Sequence, residues 1–177
     1  MKQLMSILTA FLLLIAGAAN GQSKSLQDDL QDIYTIKALF IYNFTKYIEW
    51  PKMKPGAPFI IHVYGDNPVK ERLEIMMKDR KVNDHPIVIK SGNLQDSLAQ
   101  IIYVPTNFSG KVHTPFDKKT PSGILYITDS AKRNSKLQGI NLLTIEDKIR
   151  FEINEAAIRK EGLKIASQLI ELAVNNE

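Results

Sequence analysis

The 177-residue sequence contains no cysteine and one tryptophan. Without thiols there is no disulfide framework and no thiol redox chemistry, so the fold must be held by its core alone. Beyond the N-terminus no apolar run approaches the roughly 20 residues of a membrane span. Charge of one sign is also in short supply. Lys and Arg number 23 against 19 Asp and Glu, a formal +4, and the lysines are scattered apart from "MKDRK" and "DKK". That balance, with no arginine-aromatic pattern, argues against a nucleic-acid partner. It leaves at most weak attraction to an anionic membrane surface. There is no glycine-rich phosphate loop and no G-x-S-x-G elbow. The three histidines, His62, His85 and His113, are too far apart to suggest the convergent set a zinc ion needs. No cofactor is expected, and no metal.

What is present begins with a leader. Lys2 precedes a nearly unbroken apolar stretch over residues 4 to 16, and small residues follow at Ala16 to Ala19. This is the layout of a secretory signal peptide over residues 1–21, with cleavage after Gly21 or Ala19. Residues 22–177 are then one domain, exported and soluble, with a charge of +3 once Lys2 is removed (+4 less 1). A chain of this size buries about 70% of its unfolded surface.

Apolar residues at Leu26, Leu30, Ile33, Ile36, Phe40, Phe44 and Tyr47 step by three and four, which predicts a long first helix stopped by Pro51. Short apolar runs follow at "FIIHVYG", "PIVIK", "IIYVP" and "GILYITD". Between them lie a helix opened by Asn67 and Pro68, a short helix over "NLQDSLAQ", and a segment over 106–121 that reads mostly as loop. This alternation predicts βαβ units and a mainly parallel sheet. "INLLTIEDKIRFEIN" reads as a hairpin about Glu146-Asp147, with Ile149, Phe151 and Ile153 on its covered face. A long last helix is expected from Asn154, with a stripe through Ile158, Ile165, Leu169 and Leu172, and Gly162 inside it to admit a close neighbour. The fold class is a single three-layer α/β domain with a mainly parallel sheet, a C-terminal β-hairpin and long first and last helices.

Candidate chemistry is sparse. Asp66 and Asp129 end the first and fourth strands, where open parallel sheets bind ligands. Split pKa values would let the two acids do acid/base work. Asp is equally a turn residue and helix cap, the reading we prefer at both positions. His62 falls in a buried strand pattern and reads as a core imidazole. Lys148, Arg150 and Glu152 share one strand face, either solvated or a recognition strip in which Arg150 offers its bidentate fork.

Several segments together resemble the YfiR family of small periplasmic regulatory proteins. The resemblance rests on "IKALFIYNFTKYIEWP", "IIHVYGDNP", "AQIIYVP" and "LQGINLLTIEDKIRFEINEAAIRKEGLKIASQLIELA". It runs from about residue 33 to 174. It implies a small non-enzymatic α/β protein that inhibits a membrane-bound diguanylate cyclase from the periplasm, lowering cyclic-di-GMP signalling. A sensor kinase is an alternative partner. The family's best-understood member carries disulfides tied to envelope redox state, a property a chain without cysteine does not share.

On this reading the partner-binding candidates are Tyr42, Lys46, Glu49 and Trp50 on the first helix, with Arg150, Glu152 and Asn154 near the last strand. The expected assembly is a homodimer. Trp50 divides evenly between an interface anchor, stiffened by Pro51, and a plug at the end of the core. The alternative function is a periplasmic sensor binding a small molecule at the crevice near Asp66 and Asp129. A hydrolase using the same carboxylates is the least favoured.

Overall fold

The computed structural model describes residues 33–92, 99–106, 123–129 and 139–174. The expected signal peptide, most of the "NLQDSLAQ" helix, most of the 106–121 segment and His113 lie outside them. The chain divides into two units, residues 1–34 and 35–177. Of the first, only Ile33 and Tyr34 are described, both helical. The account below concerns the second unit.

Its elements, in chain order, begin with helix α1 over residues 35–44. Strands β1 (Ile48–Glu49) and β2 (Phe59–Tyr64) precede helix α2 (Pro68–Met77). Strands β3 (Lys81–Val82), β4 (His85–Gly92), β5 (Ile101–Val104), β6 (Leu125–Asp129), β7 (Ile140–Ile145) and β8 (Lys148–Ile153) follow. The chain closes with helix α3 (Glu155–Lys160), strand β9 (Lys164–Ile165) and helix α4 (Ser167–Glu171). Seven strands form one sheet in the order β3-β4-β2-β5-β6-β7-β8, with β1 and β9 paired separately. The five central strands are parallel, and only β3 and β8 at the two ends run against them. The mainly parallel sheet and the C-terminal hairpin are therefore as expected, and the helices are short.

Local chemistry explains most of these elements. Asn67 has extended backbone, its Oδ1 accepts from the Val69 N–H at 3.0 Å, and Pro68 takes the first helical position of α2. The β7–β8 turn places Glu146 at φ 48° and Asp147 at φ 57°. Positive φ at both central residues is the geometry of a two-residue hairpin loop, whose twist matches the strands it joins. The β3–β4 turn repeats it with Asn83 and Asp84 at 46° and 67°.

Two helical expectations are corrected. The first helix ends at residue 44 rather than running to Pro51. The N–H groups of Thr45, Lys46 and Tyr47 turn back to carbonyls three residues earlier, and the Thr45 hydroxyl donates to the Tyr42 carbonyl at 2.6 Å. That tightening releases Ile48 and Glu49 to pair with Ile165 and Lys164. The last helix is broken in the same way. Leu163 N–H reaches the Ile158 carbonyl and Gly162 N–H the Arg159 carbonyl, with Gly162 at φ 76°. This is a Schellman stop, sealed by the apolar contact expected between its third-last and second-following residues, here Ile158 and Leu163, both buried. Gly162 is thus present for its left-handed backbone. The glycine that permits a close approach is Gly139, where a Cβ would stand 2.9 Å from Leu125 Cδ1 and 3.0 Å from Ile158 Cγ1.

Register decides which side chains share a face. Ile61, Tyr103, Ile127, Asp129, Leu142 and Phe151 lie on one side, and Ile60, His62, Ile102, Tyr126, Thr128, Asn141 and Glu152 on the other. Helix α1 packs on the first side. Phe40 and Phe44 meet Phe151 with ring centroids 5.7 and 5.2 Å apart, contacts of about 0.5–1.5 kcal/mol each. The buried side chains of α1 and its continuation are Lys37, Ala38, Ile41, Phe44, Thr45 and Ile48. Ile36 and Tyr47, expected in the core stripe, are instead 39% and 37% exposed.

Because Glu146 does not favour positive φ and Asp147 adopts it less readily than glycine does, replacing the pair by Asn-Gly should stabilise the domain by roughly 1 kcal/mol. Urea unfolding would show a higher midpoint at unchanged slope.

Candidate functional site

Lys37 carries the largest charge commitment in the described fold. Its ammonium lies 2.6 Å from Asp129 Oδ2, with side-chain exposures of 11% and 16%. Tyr103 donates its hydroxyl to the same oxygen at 3.1 Å, and the Thr106 hydroxyl donates to the Asp129 backbone carbonyl. The first turns of α1 are thereby tied to the carboxyl ends of β5 and β6. Asp129 is the counter-ion of a buried lysine. Asp66 is exposed beyond Gly65 at the end of β2. In the order β2-β5-β6 it lies two strands, about 10 Å, from Asp129.

On the opposite face a second polar chain crosses the sheet. The Thr128 hydroxyl donates to Asn141 Oδ1 at 2.8 Å, and Asn141 Nδ2 donates to Glu152 Oε2 at 3.4 Å, all three side chains being buried. Glu152 therefore works inside the fold. Asn154 does so as well, since its Oδ1 accepts from the Ala157 N–H at 3.0 Å and caps α3. Of the three candidates near the last strand, only Arg150 is exposed. Its side chain projects from the face opposite α1, because Phe151 beside it is the residue that packs on the helix.

The first-helix candidates gather at the other end of the molecule. Helix α1 starts at the carboxyl ends of the strands, near Asp129, and leads to Trp50 at their amino ends. Trp50 is half-buried. Its Nε1 donates to the Gln100 carbonyl at 3.1 Å, and its ring stands edge-on to Phe59 at 4.9 Å and 85°. Gln100 also bridges to β2 through Ile60, so the indole is fastened to the sheet's amino edge. The ring also borders a cavity of about 270 Å³ shared with Pro51, Met53, Phe59, Val82 and His85. Glu49 pairs with Lys164 at 3.0 Å across the β1–β9 strands, both side chains exposed. Tyr42 has Lys46 Nζ 4.8 Å and the Arg80 guanidinium carbon 4.9 Å from its ring centroid. Arg80 was not foreseen, because nothing local in "MKDRK" distinguishes it from its neighbours.

His62 is buried, with Nε2 3.1 Å from the Gly92 carbonyl. His85 Nδ1 lies 2.7 Å from the Ala57 carbonyl. Among the described residues no group of His, Asp and Glu is placed to hold a metal ion, and no helix is long and apolar enough to cross a membrane. Tyr126 has its phenol pKa raised to about 12, first by burial and second by the charge of Glu161.

The arrangement is a mixed α/β domain that spends its buried charges on its own architecture and leaves α1 outward at one end. The chain belongs to the YfiR/HmsC-like family, whose pattern it matches over residues 34–174. Proteins of this family are known as regulators of diguanylate cyclases, generally non-catalytic and periplasmic. No curated protein matches the chain in sequence.

Removing one partner of a buried pair leaves an uncompensated charge, so Lys37→Met should destabilise the domain by about 3–5 kcal/mol. Adding Asp129→Leu should recover part of that loss, as read by urea unfolding. The Tyr126 proton gives a separate signature. Its folded pKa lies above the ordinary 10.0, so the folded state keeps a proton that the unfolded chain releases. Stability contributed by this group is complete below pH 10 and falls as pH rises toward 12. Tyr126→Phe should flatten the fall in thermal midpoint across that window.

Proposed function

We propose that this chain, exported behind the leader at residues 1–21, is a periplasmic binding protein that inhibits a membrane-bound diguanylate cyclase and so lowers cyclic-di-GMP output. The contact surface is the outer face of α1 and its continuation, with Tyr42, Lys46, Glu49 and Trp50 as contact residues. Arg150, on the opposite face, belongs to a separate surface, available to a second copy in a homodimer. The observation that carries the reading is the orientation of α1 in a chain that belongs to a family of cyclase regulators. Lys37 is turned inward, and Ile36, Leu39 and Tyr47 are left 37–41% exposed on the helix and the turn after it. Grouped on one helix and the turn after it, such side chains suit a docking surface better than apolar residues scattered singly do.

The small-molecule reading at the strand ends draws less support. Asp129 is held by Lys37 and Tyr103, and freeing it for a ligand would leave a buried ammonium without its partner.

Cells lacking the gene should show raised cyclic-di-GMP, restored to the lower level by the wild-type copy and by Arg150→Ala. Tyr42→Ala should fold, as judged by circular dichroism, and fail to restore it. In-cell cross-linking of a tagged wild-type copy should recover a membrane-bound cyclase. Unchanged cyclic-di-GMP on deletion, with no membrane signalling protein recovered, would defeat the proposal.

A further inference from the structure

Four of the described cations are matched to carboxylates: Lys37 to Asp129, Lys70 to Glu74, Arg159 to Glu155 and Lys164 to Glu49. Lys46 and Arg80 are not, among the described residues, and they are the two that converge on one ring. Both are exposed, within 5 Å of the Tyr42 centroid, and come from different elements, α1's C-terminal turn and the loop between α2 and β3. The chain around Arg80 reads Lys78-Asp79-Arg80-Lys81, all exposed. With Lys46 this sets four cations against Asp79 and, one turn on, Asp84.

The geometry has consequences for what can dock. A guanidinium lying against a tyrosine ring loses little further side-chain freedom on binding, and its N–H fork remains open to a carboxylate in bidentate fashion. The lysine ammonium, held by Asn43 Oδ1 at 2.9 Å, adds a second fixed positive charge beside it. About one and two helical turns toward the N-terminus, Leu39 and Ile36 are 41% and 39% exposed. Apolar groups next to a stiff aromatic and an oriented arginine are the composition of an interface centre, where charged contacts count because water is excluded.

Resting on the regulator reading above, we infer that this surface takes an acidic segment of the partner protein. An apolar side chain of that segment lies over Ile36 and Leu39, and a carboxylate one turn along is gripped between Arg80 and Lys46. A second copy of this chain would bring the same four cations and is disfavoured by like charge. Association with the acidic segment is salt-sensitive, since the charges of the unbound surface are screened over about 8–10 Å at ordinary ionic strength.

The experiment is site-specific photo-cross-linking in the periplasm of the full chain. A photo-activatable amino acid replaces Leu39 in one copy and Ile75, exposed on α2, in another, and the cross-linked peptides are sequenced by mass spectrometry. The Leu39 position should yield a peptide of the membrane signalling protein rich in Asp and Glu, and the Ile75 position should not. Arg80→Glu and Lys46→Glu should each cut that yield at least tenfold with the thermal midpoint unchanged, and Arg80→Lys should cut it less. A signalling-protein peptide that is neutral or basic, yields indifferent to both reversals, or cross-linking from Ile75 instead of Leu39 would overturn this inference and leave the regulator reading in place. Recovery of no signalling protein from either position would overturn both. Vesicles of phosphatidylglycerol and phosphatidylethanolamine provide the remaining arm: sedimentation of the wild-type protein with them, abolished by Arg80→Glu, would assign the cations to a lipid surface and refute the acidic segment.

Discussion

The contact between Lys37 and Asp129 sets the rotation of helix α1 about its own axis. A lysine buried without a counter-ion is prohibitive, so once Lys37 faces the sheet the helix has one orientation in which Asp129, itself held by the Tyr103 hydroxyl, can receive it. Ala38, Ile41 and Phe44 follow it inward, and Ile36 and Leu39 are carried outward. Aromatic packing on Phe151 agrees with that rotation but does not impose it alone, because Phe40 and Phe44 would serve a helix turned by one residue nearly as well. Specificity of orientation is a role well suited to a buried ion pair, whose net effect on stability is small beside the cost of mispairing it.

The same lysine fixes the position of the helix along the sheet. Its N-terminal turns are held at the carboxyl ends of β5 and β6, and its far end is held at the amino ends by Trp50 on Gln100 and by the pairing of β1 with β9. The segment from Lys37 to Trp50 is thus fastened at both ends and crosses one face of the sheet between them. A rigidly held helix is a good platform for recognition, since little conformational entropy is lost when a partner docks on it. The residues on its outer side, from Ile36 through Tyr42 to Lys46, are those on which the regulator reading and the acidic-segment inference depend.

Much of the framework was legible in the sequence because it rests on local rules. Asn67-Pro68 starts α2, Glu146-Asp147 turns the hairpin, and the central strands appear as short apolar runs at the expected places. The helix lengths were misread for a definite reason. Both terminal helices have apolar residues continuing at helical spacing past their true ends, and periodicity cannot register that Ile48 and Ile165 are β-partners across 117 positions (165 less 48). The buried stripe of the first helix differs from the expected one for a related reason. A stripe through Ile33, Ile36, Phe40 and Phe44 contains no charge, so hydrophobic pattern prefers it to the true one through Lys37, Ile41, Phe44 and Ile48. Glu152 likewise alternates like a solvated residue, and only its neighbours Asn141 and Thr128 make it an interior one.

Sequence alone determined the class of fold and the family, since each is written in local pattern: alternation and motif order. Tertiary structure decided which carboxylate answers which cation, and hence which side of α1 faces outward. Pairing between Lys37 and Asp129 spans 92 positions, and the meeting of Lys46 and Arg80 at Tyr42 joins two separate elements. Electrostatic partnership depends on distance in space, and no rule of spacing along a chain encodes that.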